Sequence, residues 1–161
     1  MKYTKIRDVK NPTGDRQSDA GIDFYIPNDW NSGKPMKLFI GQQVNIPSGI
    51  KVKVPQGMDF AFTNKSGVAL KKGLIIGATI VDTGYRGECH LNLFKVVRGK
   101  DDKRTWYGRY YTVLTPGEKI TQGILNKIST ESLTLVTNKV YEQGPKTARG
   151  SKGFGEGTGS F

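Results

Sequence analysis

Ile50, Val52 and Val54 alternate with Lys51 and Lys53, a period of two that predicts a half-buried strand. Met58, Phe60 and Phe62 alternate in the same way with Asp59, Ala61 and Thr63. Further β-rich runs lie at Gly21–Pro27, Met36–Ile40, Leu74–Asp82, Glu88–Val97, Thr105–Leu114 and Leu133–Tyr141. Turn signals separate them at Asn31-Ser32-Gly33, Pro47-Ser48-Gly49, Pro55-Gln56-Gly57 and Pro116-Gly117. No segment keeps a helical period for about ten residues or more, and Lys65–Lys72 holds at most a short turn of helix. Many short strands punctuated by Gly and Pro predict an all-β domain: a sandwich, jelly roll or barrel.

Two segments stand outside this pattern. Arg98–Arg109 is dense in charge and aromatic rings and reads as an exposed hairpin or loop. Gly144–Phe161 is poor in apolar side chains and rich in Gly, which sets residues 144–161 apart as a flexible arm on a β domain of residues 1–143.

The length of 161 residues agrees with one domain, and 35% hydrophobic residues support a modest core. No apolar run approaches the roughly 20 residues of a membrane span, and Met1–Asp23 lacks an apolar stretch of the secretory type. These features point to a soluble, cytoplasmic protein. The single cysteine, Cys89, excludes an intramolecular disulfide framework and a multi-cysteine zinc site. Twenty-five Lys and Arg against 14 Asp and Glu give a net charge of +11, which concentrates anions at the surface. Nucleic acid, a nucleoside triphosphate and an acidic protein all fit that charge.

Five constellations carry candidate chemistry. In Ser18-Asp19-Ala20-Gly21-Ile22-Asp23-Phe24 an acid at the start of a strand can hold a metal or its water shell, or simply enter a strand through a turn. In Asn64-Lys65-Ser66-Gly67-Val68-Ala69-Leu70 a cation, a hydroxyl and a glycine follow a strand, so backbone N–H groups can converge on a phosphate. Gly77 to Glu88 sets Asp82, Tyr85 and Arg86 on a turn between apolar runs, read as a hairpin. A carboxylate at the edge of a sheltered pocket can orient and deprotonate water for attack on phosphorus. Cys89 and His90 on the next strand read as structural, since neither has a second ligand nearby in sequence. The fourth is Pro116 to Ile124 and the fifth Arg149 to Gly159, a Gly-rich tail whose cations can meet phosphate while its ring stacks on a base.

Taken in order, the five resemble the five motifs of the homotrimeric dUTP pyrophosphatase (dUTPase) family. The Ile-Val-Asp-x-x-Tyr-Arg-Gly and Arg-Gly-x-x-Gly-Phe-Gly segments are the most specific. The resemblance implies a dUTPase-like β jelly roll, a homotrimer with active sites shared between chains, and magnesium-dependent hydrolysis of dUTP to dUMP and pyrophosphate, limiting uracil entry into DNA. It further implies that Asp82 activates the attacking water and that Tyr85 lies beneath the deoxyribose. The backbone around Thr79 and Cys89, His90 and Leu91 would read uracil. Lys65, Ser66, Gly67 and Gln122 would bind phosphates, and Asp23 would hold Mg²⁺ through water. Arg149 would clamp the γ-phosphate, with Gly153 and Phe154 in the segment that covers the base.

Departures from the family pattern are Lys65 and Lys119 in place of Arg, Gly123 in place of an apolar residue, and Glu156-Gly157-Thr158-Gly159 in the tail. The segment 98–109 is longer than the family usually needs and offers a contact surface for a second protein or for nucleic acid. Alternatives to a dUTPase are a dCTP deaminase-like enzyme, another deoxynucleotide pyrophosphatase of the same superfamily, and a non-catalytic basic protein that binds an acidic partner.

Overall fold

A computed structural model describes residues 1–14, 19–129, 132–143 and 145. Twelve strands are described: β1 (Lys2–Lys5), β2 (Ile22–Tyr25), β3 (Met36–Phe39), β4 (Gln43–Pro47), β5 (Ile50–Lys53), β6 (Met58–Thr63), β7 (Leu74–Ile76), β8 (Ile80–Val81), β9 (His90–Lys95), β10 (Lys103–Arg104), β11 (Tyr110–Leu114) and β12 (Lys119–Lys127). Helix α1 spans Ser66–Lys72 and helix α2 spans Asn138–Tyr141. The chain divides into a compact unit, Met1–Ser129, and a second unit, Thr130–Phe161.

The first unit is all-β, of the jelly-roll type expected, with its strands in four antiparallel sheets rather than one closed barrel. Their orders are β1-β5, β10-β11-β3, β2-β12-β6-β8 and β4-β9-β7. Alternation explains the core. On β5, Ile50 and Val52 point inward and are buried; on β6, Phe60 and Phe62 do the same. Phe24 of β2 joins the two β6 rings at centroid distances of 5.7 and 5.0 Å, in tilted and edge-on arrangements. Each fully buried ring contributes roughly 1.5–3 kcal/mol through the apolar area removed from water.

The longest strand, β12, lies between β2 and β6 and orders the sheet that carries Asp23 and Gln122 and whose strands β6 and β8 lead into Lys65 and Asp82. Gly123 on it explains one departure from the family pattern. A Cβ there would come within 2.0 Å of the Phe60 ring, so the buried ring takes the space a side chain would need.

Three local expectations change. The segment around Asp82 is not a hairpin: β8 pairs with β6, whereas β9 pairs with β4 and β7, so the intervening turn crosses between sheets. The run Leu74–Asp82 breaks into β7 and β8, and residues 77–79 lie outside both. Leu133–Tyr141 is not a strand. Residues 132–137 have no regular structure and α2 follows, with Leu133 and Leu135 exposed. Alternation of apolar residues therefore marks a strand only where another strand supplies hydrogen bonds and cover.

The segment 98–109 is anchored at its base. Lys95 on β9 and Asp102 form an ion pair at 2.5 Å with both side chains 0% exposed. The Lys95 ammonium also donates to the carbonyls of Lys72 and Val97, and Asp102 accepts from the Gly99 amide. Asp102 Oδ1 has no partner among the described residues.

Candidate functional site

Asp23 sits on β2, the edge strand beside β12, and is 6% exposed. Its Oδ1 accepts from Lys65 Nζ at 2.5 Å and its Oδ2 from Lys119 Nζ at 2.6 Å. Burial alone would raise its pKa, but the hydrogen bonds and charges of Lys119 and Lys65 outweigh burial and hold the carboxyl below its ordinary value. Asp23, Lys65, Lys119 and Gln122 line a polar cleft of about 350 Å³. Gln122 Nε2 donates to the Asn64 carbonyl at 3.0 Å, tying β12 to the segment that follows β6. Ser66 and Gly67 open α1, and its N-cap, Lys65, makes no side-chain capping bond. First-turn amides of this kind remain available to an outside acceptor.

Asp82 is exposed and follows β8, the opposite edge of the same sheet. It lines a second cleft, of about 170 Å³, with Phe62, Ile80, Tyr85 and His90. The Tyr85 amide donates to the Asp82 carbonyl at 3.0 Å, closing the turn. The Tyr85 hydroxyl donates to the Glu88 carbonyl at 2.8 Å, which lays the ring over Gly87, where a Cβ would fall 2.3 Å from the hydroxyl oxygen. Glu88 itself accepts from Arg7 Nε at 2.9 Å and from the Gly49 amide at 2.8 Å. Burial pushes the Glu88 carboxyl up, and Arg7 and Gly49 more than reverse it, so the base of this turn stays charged and fixed.

The uracil-reading expectation narrows at Cys89. Its amide donates to the Ile50 carbonyl and its carbonyl accepts from the Ser48 amide, so its main chain already serves the fold. Its thiol is buried, and burial pushes its pKa up to about 11. On β9, β7 pairs only with residues 93–95, so among the described residues the β7-facing edge at His90 has no strand partner, whereas Leu91 pairs with Ile46 of β4. The Thr79 carbonyl accepts from the Phe62 amide and ties its segment to β6. Arg149, Gly153 and Phe154 lie outside the described residues.

The structure thus gathers the expected residues into two groups, Asp23, Lys65 and Gln122 at one edge and Asp82, Tyr85 and His90 at the other. Sequence reasoning treated Lys119 only as a departure and passed over Asn64 and the Arg7–Glu88 pair. The two lysines facing one carboxylate leave a faint signal, since both replace Arg. Arg7 and Glu88 are 81 positions apart, and nothing in the sequence connects them. Among the described residues, no three His, Cys, Asp or Glu side chains converge on a common point.

The sequence matches the dUTPase family over residues 7–158. The deoxyuridine 5'-triphosphate nucleotidohydrolase of Chlamydia muridarum is 32% identical over 127 residues, covering 78% of this chain and 77% of that one. A mutant Staphylococcus bacteriophage 80alpha dUTPase with dUpNHpp has the same fold, with a TM-score of 0.74, 22% identity and 96% of each chain covered. So does a mutant dUTPase from phage phi11 of S. aureus (TM-score 0.67, 21% identity, 84% of this chain and 95% of that one), whose structure shows the coordination of a structural Mg(II) ion. The chain belongs to the dUTPase family.

Proposed function

We propose that this protein hydrolyses dUTP to dUMP and pyrophosphate by attack of water on the α-phosphorus, in a site built between copies of the chain in a homotrimer. The observation that carries the shared site is the sheet order β2-β12-β6-β8. It puts the Asp23 cleft and the Asp82 cleft on opposite edges, with no lining residue in common. Three inter-strand steps separate those edges by roughly 14 Å. The Asp82 cleft, at about 170 Å³, is also smaller than the roughly 300 Å³ that encloses a small ligand, so a neighbouring chain completes it.

Asp82 orients the attacking water and accepts its proton, a role its exposure permits. Tyr85, its hydroxyl tied back to Glu88, offers a fixed ring for the sugar, and the main chain at His90 and Leu91, together with Thr79, reads the base. On the partner's side, Lys65, Lys119, Gln122 and the amides of Ser66 and Gly67 bind the phosphates. Lys65 and Lys119 act as point charges where Arg would bind in a bidentate way.

The donor set fits magnesium that arrives on the triphosphate rather than one held in advance. Among the described residues Asp19 and Asp23 are the carboxylates lining this cleft, too few to cage a metal alone, and each Asp23 oxygen keeps a lone pair beyond its lysine bond for a metal-bound water. When bound, Mg²⁺ supplies neutralisation of phosphate charge. Residues 144–161 serve as an arm that closes over the nucleotide, with Arg149 on phosphate and Gly153 and Phe154 over the base. No described helix is long and apolar enough to cross a membrane, and we place the enzyme in the cytoplasm.

Asp82→Asn tests the central assignment. Pyrophosphate release should fall by at least about 10²–10⁴-fold with nucleotide binding retained. Turnover at the parent rate would remove Asp82 from the reaction.

A further inference from the structure

The sheet β10-β11-β3 carries none of the residues assigned to the nucleotide, yet one of its faces is built from cations and rings. Strand register fixes which side chains share that face. Tyr111 pairs with Lys103 on one side and Phe39 on the other, and Val113 pairs with Lys37. Arg109 is two positions from Tyr111 and has the same facing. Phe39 and Tyr111 meet at a tilt with centroids 5.4 Å apart, Arg109 lies 4.5 Å over the Phe39 ring, and Lys37 lies 4.9 Å over Tyr111.

At the tip, Trp106 is 95% exposed and meets Tyr107 edge-on at 5.5 Å. The tip is not loose. The Thr105 amide donates to the Arg109 carbonyl at 2.8 Å, and the Arg109 amide donates to Thr105 Oγ1 at 2.9 Å. The edge contact with Tyr107 leaves nearly all of the indole's apolar surface in water. The charge is equally one-sided. Residues 98–109 hold five Lys or Arg against Asp101 and Asp102, and Asp102 is consumed by Lys95 beneath the surface.

We infer that this face and the Trp106 tip bind single-stranded nucleic acid. Exposed bases stack on Trp106 and on the Arg109 guanidinium plane, while Lys37, Lys103 and Arg109 contact successive phosphates. An acidic protein would satisfy the cations and could seat the indole in a pocket, but cations interleaved with rings along the strands match the alternating phosphates and bases of a single strand. A duplex keeps its bases stacked inside, so it leaves the indole unused.

The test is fluorescence anisotropy with a labelled oligothymidylate of about 20 residues at about 50 mM salt, repeated at rising salt, with the full chain. Saturable binding is expected, weaker for a duplex of the same length and weakening as salt increases. Trp106→Ala, at a position too exposed to affect folding, should weaken binding about tenfold. The pair Lys37→Glu and Arg109→Glu should reduce the salt slope by about 1.4, for two lost phosphate contacts. Pyrophosphate release from dUTP should stay at the parent rate in both variants, which separates this surface from the nucleotide site. Absence of binding at low salt, or binding indifferent to both variants, would overturn the inference. So would displacement by a non-hydrolysable dUTP analogue, which would place the strand in the nucleotide cleft. Polyglutamate binding as tight as the oligonucleotide and indifferent to Trp106→Ala would assign the face to an acidic protein instead.

Discussion

If each site takes its base-side residues from one chain and its phosphate-side residues from another, two inactive variants should repair each other. Asp82→Asn damages one edge of the sheet, and a Lys65→Ala, Lys119→Ala double variant damages the other. The edges are three strands apart, roughly 14 Å across the sheet. Register adds an offset along the strands, because Asp23 faces Gln122, which pairs with Thr63, whereas Val81 pairs with Phe60. The two lesions are therefore far enough apart to act independently. In an equal mixture, half of the chains keep Asp82 and half keep both lysines. A site drawing one edge from each of two chains is then intact with a probability of about one quarter, whatever the size of the closed ring. The assay is pyrophosphate release after the two variants are unfolded and refolded together, against each refolded alone. About a quarter of the parent rate is expected. A mixture no more active than its separate components would show that one chain supplies both edges, and the shared-site proposal would fail.

Other expectations follow from single contacts. Lys95→Met leaves Asp102 buried without its cation and should cost about 3–5 kcal/mol, read as a urea midpoint lower by about 2 M at a slope near 2 kcal/mol/M. A Lys95→Met, Asp102→Leu variant should regain most of that; a loss below about 1 kcal/mol in the single variant would refute the buried pair's role. Gly123→Ala drives a methyl into the Phe60 ring and should destabilise by about 1–3 kcal/mol in the same assay, with no loss expected only if the ring can move aside. Because the folded Asp23 carboxyl titrates below its ordinary value, its stabilisation is complete above that value and disappears as pH falls through the lowered one. Thermal melts of the parent and Asp23→Asn should therefore differ at neutral pH and converge in acid, and a gap that never narrows would count against the lysine clamp.

The strands that sequence made legible are those whose alternation is enforced on one face. β5 and β6 read directly, because Lys51, Lys53 and Asp59 mark the outward side of otherwise apolar stretches. β12 was hidden although it is the longest, since Thr121, Gln122 and Gly123 interrupt any period of two. Its centre is set instead by what neighbouring strands do: Thr121 Oγ1 donates to the Thr63 carbonyl, and Phe60 fills the space at Gly123. At the site, residue types pointed to Asp23, Asp82 and Tyr85, because chemistry demands particular groups there. Their division between two edges could not be read, because sheet order arises from pairings between positions remote in sequence. The joint hold of Lys65 and Lys119 on Asp23 was invisible for the same reason. Leu133–Tyr141 shows the converse, an apolar alternation that forms no strand in this chain.

The sole thiol also bears on how these ideas can be examined. With a pKa near 11, Cys89 is thiolate in only about one molecule in ten thousand at neutral pH, and the reagent must also reach it through the core. The native chain is therefore close to silent toward maleimides as it stands. A single cysteine introduced at an outward position such as Lys51 would carry a dye or spin label as the one reactive handle, and distances between labelled copies would report directly on how many chains associate and with what symmetry.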